Sequence, residues 1–197
     1  MKKTAFLFAL LLCPLFLFGQ SGAAESLDRM RQAIKAFGGY TASFTIASGE
    51  EQLLGSFAVE GERYRIELAD VEVYGEATER YEVNKSRREV TILKTDTQST
   101  DILSNPAHAL ELIGEEYRAV QLTETAAETT LSLGIDSSLR NAVRLAIDKR
   151  TNLPRLIVYL ADGLELKIEI HAIKSLPSSL PKYDPSRYAE YELIDFR

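Results

Sequence analysis

The chain changes its hydrophobic period once, near Gly39. Before that point Leu27, Met30, Ile34 and Phe37 recur at i, i+3, i+7 and i+10, the spacing of one helical stripe. Asp28, Arg29, Arg31, Gln32 and Lys35 occupy the remaining positions. Ser26 is a candidate N-cap and Gly38-Gly39 a stop, so the pattern predicts a helix over 25–37. After Gly39 the period is two. Ala42, Phe44 and Ile46 alternate with Thr41, Ser43 and Thr45, and Phe57 and Val59 continue the pattern. Tyr64, Ile66 and Leu68 alternate with Arg63, Arg65 and Glu67; Tyr81 with Val83, and Val90 with Ile92, do the same. Turn formers at Gly49, Gly61, Gly75 and Asn84-Lys85-Ser86 bound these runs. Such alternation predicts a meander of antiparallel strands with one apolar and one charged face.

The pattern breaks at Ser104-Asn105-Pro106. Pro106 suits a first helical position and Gly114 a stop, which predicts a short helix with Ala109, Leu112 and Ile113 inward. Strands resume over about 117–122, 129–135 and 142–147. Leu156, Val158 and Leu160 then lead into Asp162-Gly163, a type I′ hairpin signal, and Leu164, Leu166, Ile168 and Ile170 lead out. Three prolines and two serines make 176–185 an extended loop, and 188–196 fits a last edge strand. The expected fold is α+β and mostly β. It is one strongly curved antiparallel sheet of about ten strands, an unclosed half-barrel, covered by the N-terminal helix and the short mid-chain helix.

The N-terminus alters the domain picture. Lys2 and Lys3 precede an apolar run from Phe6 to Phe18, shorter than the roughly 20 residues a spanning helix needs and interrupted by Pro14. Small residues follow at Gly19, Ser21, Gly22 and Ala23. The expectation is a secretory signal peptide over 1–19, with cleavage as late as 23, and a single domain over 20–197. Anchoring through Cys13 as a lipoprotein is disfavoured, because Leu12 rather than a small residue precedes it. Cys13 is the chain's one cysteine, so a cleaved chain has no disulfide, thiolate nucleophile or cysteine metal site. A mature chain of about 175 residues is one ordinary domain. The net charge of −6, more acidic still without Lys2 and Lys3, argues against nucleic acid and anionic membranes. No second apolar segment is long enough to cross a membrane as a helix.

Candidate chemistry adds little. His108 and His171 are the two histidines, and neither has acidic residues at a metal-binding spacing. No nucleophile motif and no glycine-rich phosphate loop is present, so no catalytic residue, metal or cofactor is expected. Glu115-Glu116 reads as a solvated acidic face, and Asn84-Lys85-Ser86 as a weak glycosylation sequon. What remains is an aliphatic face rich in Phe, Tyr, Leu, Ile and Val, which is either a plain core or the wall of an acyl-chain cleft.

The order of these elements resembles the periplasmic outer-membrane lipoprotein carriers of the LolA type. The resemblance lies in the helix entering Ala42-Ser43-Phe44-Thr45, then Gly55-Ser56-Phe57-Ala58-Val59 followed by Arg63-Tyr64-Arg65-Ile66, and Tyr74-Gly75 with the run Tyr81 to Ile92. It continues in the segment Asn105 to Ile113 and in Ile147-Asp148, Thr151, Leu153-Pro154 and Asp162-Gly163. Better-known members carry an arginine followed by proline after the second strand, and that arginine helps hold a closed state. Here the aligned stretch is Glu60-Gly61-Glu62, Trp is absent, and the chain looks like a divergent branch with no inherited gating residue. Arg63 and Arg65 are neighbours of that stretch by proximity alone.

The resemblance implies a periplasmic, monomeric, non-enzymatic carrier that shields the acyl chains of lipoproteins or other lipids. It would take cargo from an inner-membrane donor and pass it to an outer-membrane acceptor. With alternation marking the inward face, the expected lining is Phe44, Ile46, Phe57, Val59, Tyr64, Ile66, Tyr81, Val90, Ile92, Leu166 and Ile168, under a lid made by Leu110 and Ile113. The alternative is a LolA-like sensing module that binds a membrane signalling partner; the lack of a second domain counts against it.

Overall fold

The computed structural model describes residues 18–49, 51–110, 118–134, 142–161 and 163–197. One helix, α1 (Phe18–Lys35), precedes strands β1 (Gly39–Ser48), β2 (Glu51–Glu60), β3 (Arg63–Leu68), β4 (Val71–Gly75), β5 (Glu79–Asn84) and β6 (Glu89–Lys94). After the segment 95–110 come β7 (Arg118–Glu124), β8 (Glu128–Gly134), β9 (Ala142–Asp148), β10 (Pro154–Ala161) and β11 (Leu164–Ser175). A 3-10 turn, Pro185–Tyr188, leads to β12 (Glu192–Asp195).

All strands join one twelve-stranded sheet in the order β12-β6-β5-β4-β3-β2-β1-β11-β10-β9-β8-β7. The two halves of the meander are joined where β11 returns to pair with β1, and β7 and β12 are left as edges. Two strands more than expected are present. β4 escapes the alternation rule because it is buried on both sides, Val73 on one and Glu72 and Tyr74 on the other. The sheet is also not wholly antiparallel. After β11 the chain crosses the outer face and sets β12 beside β6 in the same direction, pairing Leu193 with Val90.

α1 is longer than its predicted span and starts N-terminal to Ser26. Ala23 extends the stripe of Leu27 and Met30, and all three are buried. Ser26 therefore sits mid-helix, where its hydroxyl accepts from Arg29 Nη2 at 3.0 Å. Small residues let α1 press close to the sheet: a side-chain carbon on Gly22 would stand 3.3 Å from Leu122 Cδ2. The helix ends through Gly38, whose φ of +71° supplies the left-handed C-terminal turn.

The inner face carries the main core. Cross-strand pairing sets Leu53, Ile46, Ile168, Ile157, Leu145, Leu131 and Leu122 in one row, one residue from each of β2, β1, β11, β10, β9, β8 and β7. A second row joins Val73, Ile66, Phe57, Ala42 and Ile173. Complete burial of a large aliphatic side chain is worth about 1.5–3 kcal/mol, and Ile46, Ile168, Ile157, Leu145, Leu131, Val73 and Ile66 of these rows are buried, whereas Leu53 at the end of the first is exposed.

Candidate functional site

The inner face is roofed by α1 and by the strap 100–110. Leu27 and Met30 of α1 join the same buried cluster as Ile102, Ala109 and Leu110 of the strap. Of the predicted helix over 105–114, only Ala109 and Leu110 are helical among the described residues. Ile113 lies outside them.

Polar side chains rising from the sheet tie the strap down by its backbone. Tyr159 of β10 donates to Thr100 O at 2.9 Å and accepts from Ile102 N at 3.0 Å. Tyr64 of β3 donates to Ser104 O at 2.9 Å, and Tyr40 of β1 to Pro106 O at 3.4 Å. Arg80 of β5 reaches the same place, donating to Leu103 O at 3.2 Å and also to Ser104 O. Its Nε is paired with Glu82 Oε1 at 2.7 Å, which keeps the guanidinium aimed at the strap. Gly75 makes room for this arrangement, since a side-chain carbon there would lie 2.1 Å from the Tyr64 ring. Inside the strap, Asp101 accepts from Leu103 N at 2.9 Å and from Ser104 Oγ at 2.7 Å. Asn105 is fully buried and donates to Asp96 O at 2.9 Å, while its Oδ1 has no hydrogen-bond partner among the described residues.

At the margin of the inner face lies a cleft of about 200 Å³ between the end of α1, the β2–β3 turn and the strap, with Ile34, Tyr40, Val59 and Leu110 among its walls. That is smaller than the roughly 300–1,000 Å³ typical of small-molecule sites. A larger furrow of about 710 Å³ runs along the β6–β12 edge among Glu79, Lys94 and Arg197, away from the apolar interior.

The residues expected to line a cleft divide between two faces. Phe44, Ile46, Phe57, Val59, Tyr64, Ile66, Leu110 and Ile168 are buried together in the inner cluster, with Leu166 packed against it. Tyr81, Val90 and Ile92 are not with them. Register places Tyr81 beside Tyr74 and Ile92, and Val83 beside Val90, on the outer face. Alternation marks an apolar face without saying which side of the sheet it is. On β5 and β6 the inner positions belong to Arg80, Glu82, Thr91 and Leu93.

The outer cluster is closed by the C-terminal segment. Tyr183 stacks on Tyr81 with ring centroids 4.1 Å apart, and Tyr188 and Tyr191 pack alongside. Glu72 is its hub. Tyr188 and Tyr74 donate to Glu72 Oε2 at 2.8 and 2.9 Å, while Lys85 and Arg65 reach Oε1 at 2.7 and 3.2 Å. Burial works to raise the Glu72 pKa, but the bonds from Lys85, Tyr188 and Tyr74 and the charge of Arg65 outweigh it and hold it at about 2. Burial and the bonds to Tyr74 and Glu72 push the Tyr188 hydroxyl far up, so it stays a neutral donor.

Arg63 and Arg65 both serve this outer side. Arg63 donates to Leu180 O at 3.1 Å and pairs with Glu60 at 2.5 Å. The arginine that does touch the strap, Arg80, went unnoticed in the sequence because it sits in a run whose apolar residues face the other way. Thr45 Oγ1 and His171 Nε2 lie 2.7 Å apart on the outer face. Among the described residues no group of acidic, His or Cys side chains could hold a metal ion.

No family model matches the sequence, and no curated protein is similar to it in sequence. Similarity appears among solved structures. An uncharacterized conserved protein from Thermus thermophilus matches with a TM-score of 0.57 at 13% identity, over 89% of this chain and 99% of that one. This likeness establishes a shared fold. A LolA superfamily protein from Nitrosomonas europaea matches with a TM-score of 0.43 at 11% identity, over 81% of this chain and 94% of that one. The Pseudomonas aeruginosa MucA/MucB complex matches with a TM-score of 0.47 at 14% identity, over 86% of this chain and 63% of that one.

Proposed function

We propose that this chain is a periplasmic carrier that shields acyl chains of lipoproteins or other lipids between its inner face and its strap. The observation that carries this reading is the pairing of a wide aliphatic row with a roof held by side chains bonded to backbone carbonyls. An acyl chain of about 16 carbons costs on the order of 13 kcal/mol to expose to water, at about 0.8 kcal/mol per methylene. Aliphatic walls recover that energy without directional contacts, so cargo can leave for a more apolar acceptor. The tethers from Arg80, Tyr64 and Tyr159 are each worth about 0.5–1.5 kcal/mol, or 1.5–3 where charged. Cargo that covers the same aliphatic surface offsets both these tethers and the burial of Ile102, Ala109 and Leu110 in the strap, so no nucleotide is needed.

Export by a cleaved signal peptide belongs to this reading. Cleavage after Gly19 keeps Ala23, which is completely buried, in the core; cleavage after Ala23 would remove it.

Native mass spectrometry of the mature protein purified from the periplasm, followed by lipid extraction, tests the proposal. The expected result is co-purified acyl lipid or lipoprotein, or a gain in mass after incubation with a triacylated peptide. An apo mass under both conditions would sink the carrier and leave the sensing module as the better reading.

A further inference from the structure

Five large hydrophobic side chains are exposed among the described residues: Leu53, Leu54, Leu164, Leu193 and Phe196. Three of them collect at one end of the sheet. β1 and β2 meet in a hairpin whose last paired residues are Ser48 and Glu51, and β11 begins at Leu164, three residues before Lys167 pairs with Ala47. The β1–β2 and β10–β11 tips therefore project from the same end.

The β1–β2 hairpin also overhangs its neighbour. β3 stops at Leu68, opposite Gly55, so 51–54 have no partner on the β3 side. On this overhang Leu53 is 45% exposed and Leu54 77%, and Leu164 on the adjacent tip is 77% exposed. Leu53 is paired with Ile46 and so ends the buried aliphatic row on the inner face, while Leu54 faces the outer side beside Thr45.

We propose that these two tips are the surface through which the protein meets a zwitterionic lipid bilayer. A stable protein interface covers roughly 800 Å² per partner. Three leucines spread over two tips do not make such a surface, and a flat partner cannot cover Leu53 and Leu54 on opposite faces of one hairpin. Immersion in lipid satisfies both faces at once. The unpartnered β2 backbone over 51–54 holds the tip at headgroup depth, because bare amide groups are not tolerated in hydrocarbon. In sequence these tips carry Glu50, Glu51, Asp162 and Glu165 against Lys167, the last paired with Glu169 at 3.6 Å. Nothing in that set favours an anionic surface. The proposal rests on the carrier reading, to which it adds the point where the inner row reaches the membrane at Leu53.

Flotation with phosphatidylcholine–phosphatidylethanolamine vesicles tests it, comparing the wild type, the double variant L54S/L164S and the control L193S. Leu54 and Leu164 are too exposed for their replacement to disturb the fold, which a thermal melt confirms. The wild type and L193S should float, and L54S/L164S should partition about tenfold less or lower. High salt should leave these results unchanged. No flotation of the wild type, equal flotation of the double variant, or flotation that requires anionic lipid overturns the proposal. Mass gain with triacylated peptide in vesicle-free solution is read on the same proteins and should persist in L54S/L164S. Its absence from the wild type refutes the carrier, whereas its presence without flotation refutes only the docking surface.

Discussion

On the inner face, the row from Ile46 to Leu122 is closed by a helix and a strap that exclude water. On the outer face of β4–β6, closure comes from Tyr183, Tyr188 and a hub at Glu72 with four polar partners. The same sheet thus carries one side whose contacts are non-directional and one whose contacts are oriented and charged. Non-directional walls tolerate the exchange of one apolar occupant for another. An oriented network is lost unless each partner returns to its place. On the proposed carrier reading, cargo belongs to the inner side and permanent fastening to the outer side.

The largest effect should come from cutting the inner row. Leu145→Ala leaves a cavity at a fully buried position and should cost about 2–5 kcal/mol by denaturant unfolding. A smaller loss would mean that the interior is already loosely packed. On the outer face Glu72→Gln removes the charge facing Lys85 and Arg65 and should cost about 2 kcal/mol. Acid separates the faces without mutation. Glu72 falls from its ordinary 4.5 to about 2 on folding, so its stabilisation is complete above about pH 4.5 and is lost as pH drops through about 2. Near-ultraviolet circular dichroism of the tyrosines should therefore decay in acid before the far-ultraviolet β signal does, and Glu72→Gln should abolish that early phase. Simultaneous loss of both signals would deny the two faces separate fastening.

Arg80→Ala should cost only about 1–2 kcal/mol while speeding the uptake of a triacylated peptide, followed by mass spectrometry over time. Unchanged uptake would remove Arg80 from the account of the strap. Tyr81→Ala is the smallest and sharpest case. It loosens the Tyr183 stack yet should leave uptake unaltered, because Tyr81 is on the outer face.

The elements with one buried face were legible in the sequence. Leu27 and Met30 of α1, and the alternating runs of β1 and β3, fall where their periods place them. β4 was missed because Val73 and Tyr74 are buried on opposite sides, which erases alternation. Tyr81, Val90 and Ile92 were placed on the wrong side because a period of two is unchanged by turning a strand over. Only the return of the C-terminal segment over β5 and β6, a contact distant in sequence, decides their face. Arg80 was hidden for the same reason. Its role depends on Ser104, which the fold rather than the spacing brings within reach.

Hydrogen exchange read by mass spectrometry, with and without a triacylated peptide, tests the central claim most directly. The account predicts faster exchange over 100–110 when the peptide binds, with 183–195 unchanged. Binding that left 100–110 protected, or that exposed the C-terminal segment instead, would contradict the assignment of cargo to the inner face.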